Sequence, residues 1–197
     1  MRRREFITLL GGTAATWPLG AVAQQPVPVI GLLAAASSAE ILHLIVAFRQ
    51  GLKEIGFVEG QNLLVEYRFA QNNYDQIPAL AVDLVNRQVQ VIVAAGGSAS
   101  WAAAKAATAT VPIVLQGGGD PVGLGLVASF NRPGGNVTGV VNISAELTAK
   151  RLEVLSELVP TAIRIACLTT PREPTAQQQL QDVMAAARTR HQERLPS

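Results

Sequence analysis

Cysteine is almost absent from this chain, and the one present, Cys167, has no partner with which to form an internal disulfide. It falls within the apolar run from Ile163 to Leu168, where a thiol reads as buried and inert rather than nucleophilic. Histidine is nearly as scarce. His43 sits in a stretch of helical periodicity and His191 near the C-terminal end, so neither has metal-ligand spacing and no metal site is expected. After residue 23 there is no Gly-x-Ser-x-Gly elbow and no phosphate-binding Gly-x-x-x-x-Gly-Lys loop, which removes two common enzyme signatures. Gly117 to Gly119 lacks the Gly-x-Gly-x-x-Gly order of a dinucleotide loop and does not follow the first strand, so no cofactor is expected. Aromatic residues make up only 5% of the chain, and the alanine, valine, leucine and glycine that dominate suit a parallel sheet covered by alanine-rich helices.

What is present begins with an export signal. Arg3, Arg4, Glu5, Phe6 and Ile7 precede an apolar stretch that ends in Ala21-Val22-Ala23, a small-residue pattern suited to cleavage after Ala23. Gly11, Gly12, Pro18 and Gly20 interrupt that stretch, so it reads as a removed leader rather than a membrane anchor, which needs ~20 predominantly apolar residues. The paired arginines resemble the twin-arginine type; an ordinary secretory signal with extra arginines is the alternative. No cysteine stands at the cleavage point for a lipid anchor, so residues 1–23 are expected to deliver a periplasmic protein with no membrane insertion after cleavage.

Export also changes the charge. Arg2, Arg3 and Arg4 are three of the 16 Lys and Arg residues, and Glu5 is one of the 14 Asp and Glu, so 13 of each remain after cleavage. A neutral mature chain offers no surplus of cations for phosphates, and no nucleic-acid partner is expected.

Beyond the leader, strand and helix signals alternate. Val29 to Ala34 is a short apolar run of the kind buried on both faces. Ile41, Leu44, Ile45, Phe48, Leu52 and Ile55 form one helical stripe, which stops near Gly56. Leu63 to Phe69 alternates as a second strand, and Ile77 to Val85 is a second helix. Val89 to Ala94 is a third strand, about Ser100 to Thr108 a helix, and Val111 to Leu115 a fourth strand. A short helix is expected near Leu124 to Phe130, a fifth strand over Val137 to Val141 and a helix from Leu147 to Leu158. Ile163 to Leu168 reads as a sixth strand, and Leu180, Val183 and Met184 support a last helix. The tail from residue 188 to 197 has no apolar periodicity and reads as disordered. Repeated strand-helix units give an α/β fold with a doubly wound parallel sheet.

In such sheets ligands bind at the carboxyl ends of strands, where free N–H groups of helix N-termini attract anions. Three loops there are candidates: Ser37 and Ser38 after strand one, Gly97, Ser98 and Ser100 after strand three, and Gly117 to Pro121 after strand four. Their hydroxyls and bare amides suit a small ligand carboxylate, although Ser is also a favoured helix cap without any ligand. Asp120 can pair with a ligand amine or form an Asp-Pro turn, and Asn142 after strand five faces the same mouth or is simply a loop residue.

The run from Asp120-Pro121-Val122-Gly123 through Arg132-Pro133-Gly134-Gly135-Asn136-Val137-Thr138-Gly139-Val140 resembles the signature of the ABC transporter substrate-binding family that includes TrpX-type receptors. Phe48 to Asn62 and Lys150 to Leu155 are similar to the same family, and the resemblance covers about residues 27 to 187. It implies a type I periplasmic-binding fold of two α/β lobes closing on a small-molecule ligand, with a membrane permease contacted directly and an ATPase behind it. On that basis residues 27–143 form the first lobe and residues 144–187 begin the second, with Ser37, Ser38, Ser98 and Asp120 at the cleft. Relatives of this kind run on for more than a hundred residues, so the chain is expected to be a truncated receptor whose tail looks like a frameshift. Leu152, Leu155, Val183 and Met184 would then expose apolar surface.

The expected function is capture of an amino acid or related carboxylate for an importer, without catalysis. An exported oxidoreductase is the enzyme alternative, but Ala35, Ala36, Ser37 and Ser38 stand where its glycine loop should follow strand one. A nonfunctional receptor fragment is the third reading.

Overall fold

A computed structural model describes residues 27–142, 147–169 and 176–193. The expected signal peptide, the boundary between the expected lobes at residues 143–144, and residues 194–197 lie outside the described residues. The elements run β1 (Val29–Ala34), α1 (Leu42–Glu54), β2 (Leu64–Phe69), a 3-10 turn (Tyr74–Gln76), α2 (Ile77–Asn86), β3 (Val91–Ala95), α3 (Ser98–Ala107), β4 (Ile113–Gly118), β5 (Val137–Asn142), α4 (Thr148–Leu158) and α5 (Ala176–Glu193). The five strands form one parallel sheet in the order β2-β1-β3-β4-β5.

Helices cover both faces of that sheet, as a parallel sheet requires. On one face Leu33, Ile92, Ala94, Ile113, Leu115 and Val137 pack with Ile77, Ala81 and Leu84 of α2 and Trp101, Ala103 and Ala104 of α3. On the other, Leu32, Ala34 and Ala95 pack with Ile41 and Ile45, and Phe48 adds partly buried area. Gly56 closes α1 where expected: the Gly56 and Phe57 N–H groups donate to Lys53 O (3.0 Å) and Leu52 O (2.9 Å). Asn136, at the entrance to β5, ties three segments together. Its Oδ1 accepts from Lys105 Nζ (2.7 Å), and its Nδ2 donates to Val111 O (2.8 Å) and Thr108 O (3.2 Å).

The edge strand β2 is fixed to α2 by charge. Arg68 donates from Nη2 to Asp83 Oδ2 at 2.6 Å and lies 3.1 Å from Glu66, while Arg87 reaches Asp83 at 3.0 Å. Hydrogen bonds from Arg68 and then Arg87 hold the Asp83 carboxyl below the usual carboxylate range. Because the folded pKa lies below the unfolded one, this contribution is complete above about pH 4 and fades as pH falls through the folded value. Asp83→Asn is therefore expected to lower the urea midpoint near neutrality and to match wild type in acid. A difference that persists unchanged from about pH 6 to about pH 2 would rule the linkage out.

Five expectations are corrected by the structure. Residues Leu124 to Phe130 form turns rather than a helix. Leu124 N–H donates to Asp120 O in a single helical turn, but Gly123, Gly125 and the preceding Pro121 do not sustain it. Ile163 to Leu168 is not a sixth strand: it is unpaired, with Ile163 94% and Leu168 101% exposed. β-propensity describes fit to a neighbouring strand and a half-buried face, and this segment has neither among the described residues. Cys167 is consequently exposed, not buried. Residues 188–193, expected to be disordered, continue α5. Apolar periodicity reports burial, whereas alanine, arginine, glutamine and glutamate favour helix with no face to bury. Among the residues expected to expose apolar surface, Leu155 and Met184 do so, whereas Leu152 is buried and Val183 half-buried.

Candidate functional site

The strand ends that were expected to form a mouth are brought level by the register. Ala34 pairs with Ala95, Ala95 with Gln116, and Gly118 with Asn142. In the order β2-β1-β3-β4-β5 the chain leaves β1 in one direction for β2 and returns on its other side for β3. The loops after β1 and β3 therefore diverge, which opens a crevice at that switch point.

On the β1 side, Ser37 closes the turn that precedes α1 and does not cap the helix itself, whose N-cap position is Ile41. Its N–H and Oγ each donate to Glu40 Oε2 at 2.7 Å. Asn72, from the loop after β2, donates to both Glu40 oxygens at 3.1 and 3.0 Å. The Ser37 hydroxyl, then its backbone amide and Asn72, hold the Glu40 carboxyl below its ordinary range. Glu40 and Asn72 were not among the expected residues, although the Ser-x-x-Glu spacing from Ser37 to Glu40 is a capping-box signal. Ser38 is exposed beside them.

On the β3 side, Gly97 and Ser98 are buried at the start of α3. Gly97 has φ +136° and leads into the first turn, where N–H groups lack carbonyl partners within the helix. The loop after β4 presses against it. A Cβ on Gly117, itself at φ +136°, would lie 3.0 Å from Gly97 N and 3.3 Å from Gly96 C. Only glycine allows the two backbones to approach so closely in this conformation.

Asp120 Oδ1 accepts the Val122 N–H at 3.0 Å, the turn-forming role open to it from the sequence. Asn142 is exposed at the last position of β5, where its carbonyl accepts from Gly119 N at 3.4 Å. The structure thus gathers Gly97, Ser98 and the Gly117–Asp120 loop closely, with Asn142 beside them and Ser37 and Ser38 across the crevice. Gln116, read from the sequence as lying just past strand four, fixes the end of β4 through its main chain. Its carbonyl accepts from Gly96 N (3.0 Å) and from the Trp101 indole Nε1 (3.3 Å), which locks the strand end to both α3 and its loop.

A separate apolar groove of about 540 Å³ lies between α2 and α3, lined by residues that include Tyr74, Ile77, Ala99 and Ala103. None of the six expected contact residues lines it.

The geometry agrees with known proteins. The family model described as ABC transporter substrate binding protein matches residues 30–191, running past residue 187 where the resemblance was expected to end. A tyrosine-binding protein of Clostridioides difficile (strain R20291) is 31% identical over 126 residues, which are 64% of this chain and 36% of that protein. A conserved domain protein from Vibrio cholerae superposes with a TM-score of 0.73 at 26% identity, covering 83% of this chain and 54% of the other. An ABC domain from Streptococcus pneumonia in complex with L-Trp has a TM-score of 0.70 at 22% identity, with the same two coverages. The chain thus spans about a third to half the length of these relatives, and its five-stranded parallel sheet is that of a type I periplasmic-binding fold. With the fold and a match over most of the sequence in agreement, the chain belongs to the ABC transporter substrate-binding protein family, whose members are transport receptors and not enzymes.

Proposed function

We propose that this protein is the substrate-binding component of an ABC-type importer, capturing an amino acid or related small carboxylate outside the cytoplasmic membrane. The observation that carries this reading is the close packing of the Gly97–Ser98 start of α3 against the Gly117 loop at the sheet's carboxyl end. The first turn of a helix, whose N–H groups point along its axis, and bare glycine backbone there suit a carboxylate. Ser37, Ser38, Gly97, Ser98, Asp120 and Asn142 line the first lobe's share of the cleft, and residues from 144 onward begin the second lobe. The names of two relatives, one tyrosine-binding and one complexed with L-Trp, favour an amino acid. The arginine-led leader delivers the protein to the periplasm, where the loaded form docks on a permease driven by an ATPase.

Thermal unfolding of the purified chain with L-tyrosine, L-tryptophan, L-leucine and a sugar panel tests this. A solute at 100 times its Kd adds about 2.7 kcal/mol, or roughly 5–10 °C of Tm for a chain of this size. A cooperative transition unmoved by every amino acid would overturn the reading.

A further inference from the structure

Surface helices ordinarily carry charged residues on the side turned away from the core. α1 does so, with Arg49, Lys53 and Glu54 all exposed. The two helices on the opposite face of the sheet do not. α2 and α3, ten residues each, contain one acid and one base between them, and both of these turn away from the pair. Asp83 is held by Arg68 and Arg87 at the β2 flank, and Lys105 by Asn136 at the entrance to β5.

Between those flanks lies the apolar groove of about 540 Å³, with Tyr74 and Pro78 on one wall and Ala99, Ala102 and Ala106 on the other. Val82, 47% exposed, stands on α2 one turn beyond Pro78. A ridge and a groove therefore lie side by side on one uncharged face, as a self-complementary contact requires, each copy placing its ridge in the groove of the other. The ends of the face carry opposite charge. Asp75 lines the groove just before α2, and Arg87 follows its last residue and is half exposed, with about 15 Å of helix between them. A two-fold axis perpendicular to the helix layer sets α2 antiparallel to its copy, so that each Asp75 falls toward the Arg87 of the other. A parallel arrangement would instead oppose like charges. An uncharged centre with a charged rim is the anatomy of a protein interface.

We propose that the α2–α3 face docks a second copy of this chain through a two-fold contact, with Val82 of each copy in the groove of the other and Asp75 facing Arg87. The face covers one side of the sheet, whereas the strand-end mouth lies on its carboxyl edge, so the pairing leaves the mouth open and does not depend on what the mouth binds. Two helices of about 15 Å offer a small patch, of the class below about 1,200 Å² that associates transiently. A dissociation constant of about 10–500 µM is expected on that ground.

Sedimentation velocity on the full chain, from about 5 µM to about 1 mM, tests this range. The wild-type mass is expected to climb from that of a monomer toward twice that value. Val82→Arg places an unpaired charge in the groove and is expected to weaken pairing at least about tenfold. Its Tm should match wild type at low concentration, because Val82 lies outside the buried core. Leu158→Arg, at an exposed apolar position of α4, should pair as wild type does. Asp75→Arg is expected to weaken pairing, and its combination with Arg87→Asp to recover it. A wild type that stays monomeric throughout, association that persists in Val82→Arg, or association that requires Leu158 would overturn the proposal. Failure of the double exchange to recover pairing, with its Tm showing an intact fold, would overturn the antiparallel arrangement.

Discussion

Trp101→Ala is expected to cost about 3–5 kcal/mol of folding stability, the range for removing a large aromatic from a packed core. Trp101 is the largest of the side chains that are fully buried, and its ring lies between α3 and the sheet with Gly119 directly over it. A Cβ on Gly119 would lie 2.7 Å from Trp101 Cζ3, so the loop backbone rests directly on the ring and loses that support when the ring is removed. The indole also donates to Gln116 O, and its loss leaves that carbonyl with Gly96 N–H alone. Against a typical total of about 5–15 kcal/mol, such a loss leaves a marginal fold. Urea unfolding should show a large drop in midpoint with an unchanged slope, whereas Trp101→Phe, which keeps most of the ring volume, should lose much less. A midpoint change equivalent to under about 1 kcal/mol for the alanine variant would mean that Trp101 is not the keystone of this layer.

The strands were the most legible part of the sequence. β1, β2, β3 and β5 each fall within a residue or two of the expected run: β1 and β3 as short apolar runs, β2 through its alternation of apolar residues with Glu66 and Arg68. β4 is shifted, starting at Ile113 after Pro112 and running on to Gly118, since glycines carry no hydrophobic signal yet extend the ladder to pair with Val141 and Asn142. The failures share a cause. Leu124, Leu126 and Val127 have the apolar character of a helix and do pack on the core, but from a chain of turns imposed by the glycines between them. Ile163, Ile165 and Leu168 have strand character that only a partner strand would realise.

The site was legible to the level of loops and not to the level of atoms. Topology alone places residues 35–38, 96–98 and 117–120 together, because parallel strands linked by helices put every strand end on one edge. Which side chains remain available there depends on local hydrogen bonding that composition does not reveal. Ser37 is committed to Glu40, and one Asp120 oxygen to Val122.

Gly139→Ala is the second large effect expected, at about 3 kcal/mol or more, beyond the usual cost of one extra carbon in a core. Gly139 pairs with Leu115 across β4 and β5, and its Cβ would lie 2.6 Å from Leu115 N and 2.8 Å from Leu115 Cα. These are backbone atoms, so no side chain can rotate away and the strands themselves must separate. Sliding is blocked at the start of β5, where the Asn136 side chain is bound to Lys105, Thr108 and Val111, and where Ile113 N–H donates to Asn136 O at 2.7 Å. Strain therefore concentrates on the bonds from Gly139 to Asn142, at the rim of the mouth. Gly135, in the same signature run, supplies the control. Its Cβ would meet only Lys105 Nζ, at an ordinary 3.6 Å, so Gly135→Ala should stay within about 0.5 kcal/mol of wild type. Hydrogen exchange should show Gly139→Ala losing protection across β5 and the facing half of β4 while β1 to β3 stay protected. Equal tolerance of alanine at both glycines would show that the close approach of β5 to Leu115 does not hold this edge of the mouth together.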